Sequence, residues 1–108
     1  MPPPNPCPVA FATRAIGGKW KPRIVWALIR TGTLRFSELR RACPPISDRI
    51  LSRELKELEA ASLIRREQRP YLPPHTEYSL TEFGLTLQPM MAAMADWALQ
   101  NRATIETL

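Results

Sequence analysis

Basic and hydroxyl side chains between residues 47 and 56 recur at the spacing of one helical face. Arginine presents paired N–H donors that match the edge of a guanine base, and an α-helix fits the major groove of DNA. This face therefore predicts hydrogen bonds to DNA bases or phosphates. The candidate residues are Ser47, Asp48, Arg49, Ser52, Arg53 and Lys56. A solvated helix face is the alternative interpretation.

A second basic cluster follows in two segments of alternating polarity, residues 63–69 and 76–80, which predict strands joined by a proline-rich turn. This hairpin, the wing, has a stiff tip that could contact DNA without a large ordering cost. Its candidate DNA contacts are Arg65, Arg66, Arg69, Tyr71 and His75. Strand alternation places Arg65 and Arg66 on opposite faces, so both cannot contact one phosphate track. For His75, a loop histidine with no special role is the alternative.

The two cysteines, Cys7 and Cys43, are too few for a disulfide scaffold. Cys7 directly precedes a predicted helix, whose positive end favours a reactive thiolate. Cys7 is therefore a candidate redox sensor, with an inert thiol as the alternative, and Cys43 is expected in the core. One histidine and no phosphate-binding or nucleophile motif leave no metal site, cofactor or enzyme activity to predict.

The helix that would present the first basic cluster is predicted from its apolar residues and its cap. Leu51, Leu55 and Leu58 form a stripe opposite the basic face. Ser47 can accept amide hydrogens of the first turn, so a helix is expected from Ser47 to about residue 61. Two consecutive prolines separate it from a shorter helix, residues 37–42, which is the order of a helix-turn-helix.

Other elements follow from proline, glycine and apolar spacing. We predict helices over residues 8–16 and 19–30, and a short strand over 33–35. Lys19, Lys21 and Arg23, at the start of the second helix, are interpreted as solvated, with phosphate contact as the alternative. Thr81 caps one final helix, which Pro89 should kink.

The last helix carries an apolar stripe that extends beyond what a small core needs. A homodimer contact with the first helix is the preferred interpretation, and a ligand pocket or an intramolecular core are the alternatives. The predicted dimer residues are Val9, Phe11, Ala12, Met90, Met94 and Trp97.

The length and the distribution of charge agree with a DNA-binding part followed by a dimerisation helix. The 108 residues carry a net charge of +5, which is uneven: residues 1–76 hold 14 basic and 6 acidic side chains, and residues 77–108 hold 1 and 4. We predict an N-terminal lead (1–6), one DNA-binding and dimerisation domain (7–100) and a C-terminal tail (101–108). The longest apolar stretch, residues 89–95, is far shorter than a membrane span, so a soluble cytoplasmic protein without a membrane partner is expected.

Several short motifs in this order resemble the HxlR family of bacterial transcription regulators. They are Cys7-Pro8-Val9, Ile16-Gly17-Gly18-Lys19-Trp20, Arg35-Phe36-Ser37-Glu38-Leu39-Arg40-Arg41, Ile46-Ser47, Glu57-Leu58-Glu59, Pro73-Pro74, Glu77-Tyr78-Ser79-Leu80-Thr81, Gly84 and Asp96-Trp97. The chain departs from the family at Pro45, where glycine is common, and at His75, where arginine is common.

The resemblance implies a winged helix-turn-helix homodimer that binds an inverted-repeat operator. It also implies an oxidant or electrophile as effector, because Cys7 matches the position of a sensing cysteine in some members. From the residues and the resemblance together, the expected fold is mainly α with a small β-hairpin wing (α+β), dimerising through the first and last helices. The expected partners are double-stranded DNA and a second copy of the chain. A basic protein-interaction module that docks an acidic partner is the alternative function.

Overall fold

The computed structural model describes residues 7–71 and 73–108, so the predicted lead, residues 1–6, lies outside the described residues. Seven helices and three strands follow one another in the described part of the chain. They are α1 (Pro8–Ile16), α2 (Lys21–Thr31), β1 (Thr33–Arg35), α3 (Phe36–Ala42), α4 (Asp48–Ala60), β2 (Ile64–Arg69), β3 (His75–Leu80), α5 (Glu82–Leu85), α6 (Gln88–Gln100) and α7 (Arg102–Ile105).

The strands form one antiparallel sheet in the order β1-β3-β2. The wing is the β2–β3 hairpin, in which Arg66 lies opposite Tyr78 and Arg69 lies opposite His75. The predicted strand β1 pairs along the other edge of β3, where Leu34 lies opposite Tyr78. Tyr78 is 7% exposed, so the face of the sheet that carries Leu34 and Arg66 is the face that covers the core.

The core is formed where α2, α3 and α4 pack with this sheet. The predicted apolar stripe of α4 is confirmed, because Leu51, Leu55 and Leu58 are at most 2% exposed. The predicted burial of Cys43 is confirmed as well, with no exposed surface. This arrangement of three helices and a wing is the winged helix-turn-helix that the sequence predicts.

The prediction of one final helix kinked at Pro89 is wrong. A short helix, α5, begins after the Thr81 cap, and α6 begins anew with Pro89 in its first turn. Proline lacks an amide hydrogen, so it fits a first turn better than a helix interior. Gly84 lies so near β2 that a Cβ atom there would come within 2.1 Å of the Leu63 carbonyl oxygen. This close approach packs α5 against Leu63, the residue that precedes β2.

One other expectation needs correction. The helix predicted to begin at Lys19 begins at Lys21, with Trp20 as its N-cap and Pro22 in its first turn. Residues 101–108, the predicted C-terminal tail, contain the short helix α7, where Arg102 and Glu106 form an ion pair of 2.8 Å.

Candidate nucleic-acid interface

Helix α4 is positioned by its N-cap as well as by its leucines. The Ser47 hydroxyl oxygen accepts a hydrogen bond from the Ile50 amide at 3.2 Å, as the sequence predicts for a cap. Asp48, in the first turn, forms an ion pair of 2.7 Å with Arg40 of α3. These contacts connect the two helices of the helix-turn-helix, so Ser47 and Asp48 have structural partners in addition to their predicted place at DNA.

The outer face of α4 carries the predicted basic residues. Arg49, Arg53 and Lys56 are exposed, and Ser52 is half-buried. Arg49 makes no ion pair with any residue in 7–71 or 73–108. Arg53 differs, because two carboxylates of its own helix lie within 4 Å of its guanidinium. The structure therefore places the predicted residues together on one face of α4. The guanidinium of Arg53 has two carboxylates close to it, whereas that of Arg49 forms no ion pair with a described residue.

A cleft of about 510 Å³ separates this face from the wing. The cleft is lined by Phe36 of α3, by the buried Tyr78 and by hydroxyl and basic groups from both elements, and the Glu59 carboxylate of α4 lines it as well. Lys56 of α4 and Arg66 of β2 line the cleft together, although ten residues separate them in sequence. The structure thus brings one wing arginine to the predicted helix.

The remaining wing residues lie elsewhere. Arg65 neighbours Arg66 in an extended strand and therefore points to the other face of the sheet. Arg69 forms ion pairs with Glu67 at 3.0 Å and with Glu77 at 3.2 Å. Tyr71, at the tip, is 61% exposed.

The histidine of the wing is the first residue of β3 and is well ordered by two contacts. Its Nδ1 lies 2.7 Å from the Pro73 carbonyl oxygen, and its Nε2 lies 2.8 Å from a Glu77 carboxylate oxygen. The His75 side chain is 16% exposed. His75 is therefore part of a small ionic cluster with Glu77 and Arg69.

This cluster shifts two ionisation equilibria. Hydrogen bonds from His75 and then Arg69 hold the pKa of Glu77 below its ordinary value, with burial acting weakly in the opposite direction. The hydrogen bond to Glu77, together with the charges of Glu67 and Glu77, raises the pKa of Arg69. Both groups are thus held in their charged forms.

The interpretation of Lys21 and Arg23 as solvated is wrong. The Lys21 ammonium lies 2.5 Å from a carboxylate oxygen of Glu54 on α4, and the Lys21 side chain is 15% exposed. Arg23 donates a hydrogen bond of 2.9 Å to the Pro44 carbonyl oxygen, in the turn that precedes α4. The sequence did carry a signal: Glu54 lies among the leucines of the apolar stripe, and a carboxylate on a buried face requires a cationic partner.

The cysteines occupy different environments. Cys7 is the exposed N-cap of α1, and its Sγ accepts a hydrogen bond of 3.4 Å from the Ala10 amide. Cys43 lies in the core, where burial raises the pKa of its thiol and the charge of Arg23 opposes that shift. In the described part of the chain, no three His, Cys, Asp or Glu side chains come together as a metal site.

Four of the six predicted dimer residues line an apolar groove of about 480 Å³ between α1 and α6. Val9, Ala12, Met90 and Met94 line it. Phe11 and Trp97 lie outside the groove and are 60% and 62% exposed. Among the helices of residues 7–71 and 73–108, none is both long and apolar enough to cross a membrane.

Comparison with known proteins decides the family. A family model described as HxlR-like helix-turn-helix matches residues 15–106. The chain belongs to the HxlR-like helix-turn-helix family. The resemblance stated from the motifs is therefore confirmed, and Cys7 lies before the residues that the family model matches.

Relatives of this HxlR-like chain are transcriptional regulators by name. The HTH-type transcriptional regulator YybR of Bacillus subtilis is 46% identical over 101 residues, which cover 94% of this chain and 80% of YybR. The solved structure of the redox regulator HypR in its reduced form has a TM-score of 0.85 and 45% identity, covering 94% of this chain and 100% of HypR. Diamide-treated YodB from B. subtilis has a TM-score of 0.69 and 36% identity, covering 87% and 93%.

The lowered pKa of Glu77 predicts how the wing of this HxlR-like protein responds to acid. Such a carboxyl stabilises the fold above its unfolded pKa, about 4.3, and that contribution is lost as pH falls through the folded pKa. Glu77→Gln should therefore lower the melting temperature at neutral pH, and the difference from the original protein should shrink below about pH 4.3. Thermal unfolding from neutral to acidic pH measures this. Glu59→Gln, which removes an exposed carboxylate, is the control, and a Glu77→Gln difference that stays constant with pH would contradict the prediction.

Proposed function

We propose that this HxlR-like protein is a transcriptional regulator that binds specific DNA sequences as a homodimer. The observation that carries the proposal is the single cleft in which Ser52 and Lys56 of α4 face Arg66 of the wing. Regulator relatives such as YybR and HypR support the same class of function. We assign no catalytic role to any residue, and a regulator of this kind acts in the cytoplasm, where bacterial DNA lies.

In this proposal α4 is the recognition helix and enters the major groove, which is about 12 Å wide. Arg49 lies near the amino end of α4 and is exposed, so it can donate two hydrogen bonds to a guanine. Arg53 lies one turn further along. The wing then follows the DNA backbone toward the adjacent minor groove, with Tyr71 at its tip.

A second copy of the chain is the proposed occupant of the groove between α1 and α6. Val9, Met94 and Trp97 are more than half exposed, which leaves large apolar side chains of α1 and α6 uncovered. The recognition helix lies outside this groove, so two protomers paired there could each present an α4 to one half of an inverted repeat.

The decisive experiment selects DNA from random duplexes with the full chain. We expect enrichment of a two-fold-related motif whose half-sites lie about one helical turn apart, because two α4 helices related by symmetry occupy successive major grooves. Absence of any enriched sequence would support the alternative, a protein-interaction module for an acidic partner.

The position of Arg66 predicts a phosphate contact that its neighbour Arg65 does not make. Arg66→Ala should lower the slope of log binding constant against log salt by about 0.9, the value for one phosphate on duplex DNA. It should weaken binding to all sequences to a similar degree. Arg65→Ala is the matched control, since it removes the same charge from the opposite face of the sheet. Equal changes of slope in the two variants, from salt titrations of the selected duplex, would contradict this assignment.

Cys7 is the proposed sensor of an oxidant or electrophile. It is the exposed N-cap of α1, and HypR, a redox regulator by name, covers 94% of this chain at 45% identity. An exposed thiol at this position is accessible to a small oxidant or electrophile.

A quinone challenge tests the sensor. We expect one quinone adduct by intact-mass analysis, located at Cys7, with a change in affinity for the selected duplex. The Cys7→Ser protein should bind DNA normally and ignore the quinone, because Cys43 is buried. An adduct at Cys7 without any change in DNA binding would show that Cys7 reacts but does not regulate DNA binding, which contradicts the sensor role.

A further inference from the structure

Four charged side chains form a closed set of ionic contacts where α2 meets α4. Glu54 approaches Lys21 with one carboxylate oxygen, at 2.5 Å, and Arg53 with the other, at 3.6 Å. Glu57 does the same at longer range, 3.5 Å from Lys21 and 3.9 Å from Arg53. Each carboxylate therefore bridges the same two cations.

The set extends from the interior to the proposed DNA surface. The side chains of Lys21 and Glu54 are 15% and 10% exposed, whereas those of Glu57 and Arg53 are 52% and 60% exposed. Lys21 lies beside Pro22 in the first turn of α2. One turn further along the same helix, Ile24 has no exposed surface. The inner end of the set is therefore anchored to the core, and Arg53 is its outer end.

Anchored carboxylates restrict what the guanidinium of Arg53 can reach. The two carboxylates attract the exposed guanidinium at 3.6 and 3.9 Å, beyond hydrogen-bond distance, so they bias its position and remove part of its rotamer freedom before DNA binds. The two carboxylates also repel phosphate groups, which attract cations equally in every DNA sequence. An arginine held in this way favours contacts at the bases over contacts at the backbone.

From this geometry we infer that Glu54 and Glu57, anchored by Lys21, are positioning residues that make Arg53 a determinant of sequence specificity. The inference rests on the proposed DNA-binding function. Their effect is to weaken binding to wrong sequences as well as to orient the arginine for the right one, and specificity depends on both.

The test compares glutamine variants on the full chain. Glu57→Gln and Glu54→Gln should each raise affinity for a scrambled duplex and lower the ratio of selected to scrambled affinity by about three- to tenfold, within the discrimination of one arginine–guanine contact. Glu82→Gln is the control, because it removes an equal charge from an exposed residue of α5 that does not line the cleft between α4 and the wing. Its ratio should stay unchanged. Since Glu57 is on the surface, Glu57→Gln decides the question even where Glu54→Gln is poorly folded.

The same substitution made in an Arg53→Ala protein distinguishes an effect that acts through Arg53 from a general effect on structure or charge. In the Arg53→Ala protein, Glu57→Gln should not lower the affinity ratio further, because its effect acts through Arg53. Equal ratios for Glu57→Gln and Glu82→Gln, or an undiminished effect of Glu57→Gln in the Arg53→Ala protein, would overturn the inference. The selection experiment distinguishes failure of this inference from failure of the proposed function. If the unsubstituted protein selects no DNA sequence, both the proposed function and the positioning role are wrong. If it selects an operator, the variants test the positioning role alone.

Discussion

Burial of one face of α4 is the constraint on which the remaining structure depends. Leu51, Leu55 and Leu58 are almost completely removed from water, and each such leucine contributes roughly 1.5–3 kcal/mol relative to an exposed one. Because successive residues of a helix are rotated by a fixed angle, inward leucines require that Arg49 and Lys56 face outward. The basic surface of the molecule is thus a geometric consequence of its core, and a change that rotated α4 would move both together.

The buried face of α4 also contains a charge, and this second constraint connects α4 to α2. Glu54 is 8% exposed, and a carboxylate in such a place is strongly destabilising without a partner. Lys21 supplies the partner, while Arg23 holds the preceding turn through the Pro44 carbonyl oxygen. The helix-turn-helix is therefore fixed at two points by the first turns of α2, in addition to its apolar contacts.

Sequence patterns over a few residues predicted most helices and strands to within two residues. They failed where the same pattern is compatible with two different structures. Ser47 and Thr81 were identified as caps, and both hydroxyls accept the amide hydrogens expected of them. Pro89 could either kink one helix or begin another, since proline is compatible with both. Gly84 of α5 lies against the Leu63 carbonyl oxygen, and the sequence around Pro89 does not reveal that contact, because Leu63 is distant along the chain.

The sequence by itself determined the helix-turn-helix order, the wing, the basic face of α4 and the opposite orientation of Arg65 and Arg66. These features depend on periods of two or 3.6 residues, on proline and on capping side chains, all of which act over a few neighbours. Only the tertiary structure decided which wing arginine meets α4, that Arg69 contacts Glu77, and that Lys21 is an internal partner. Those pairings join residues from 8 to 33 positions apart, and they depend on which faces the packed elements turn toward one another.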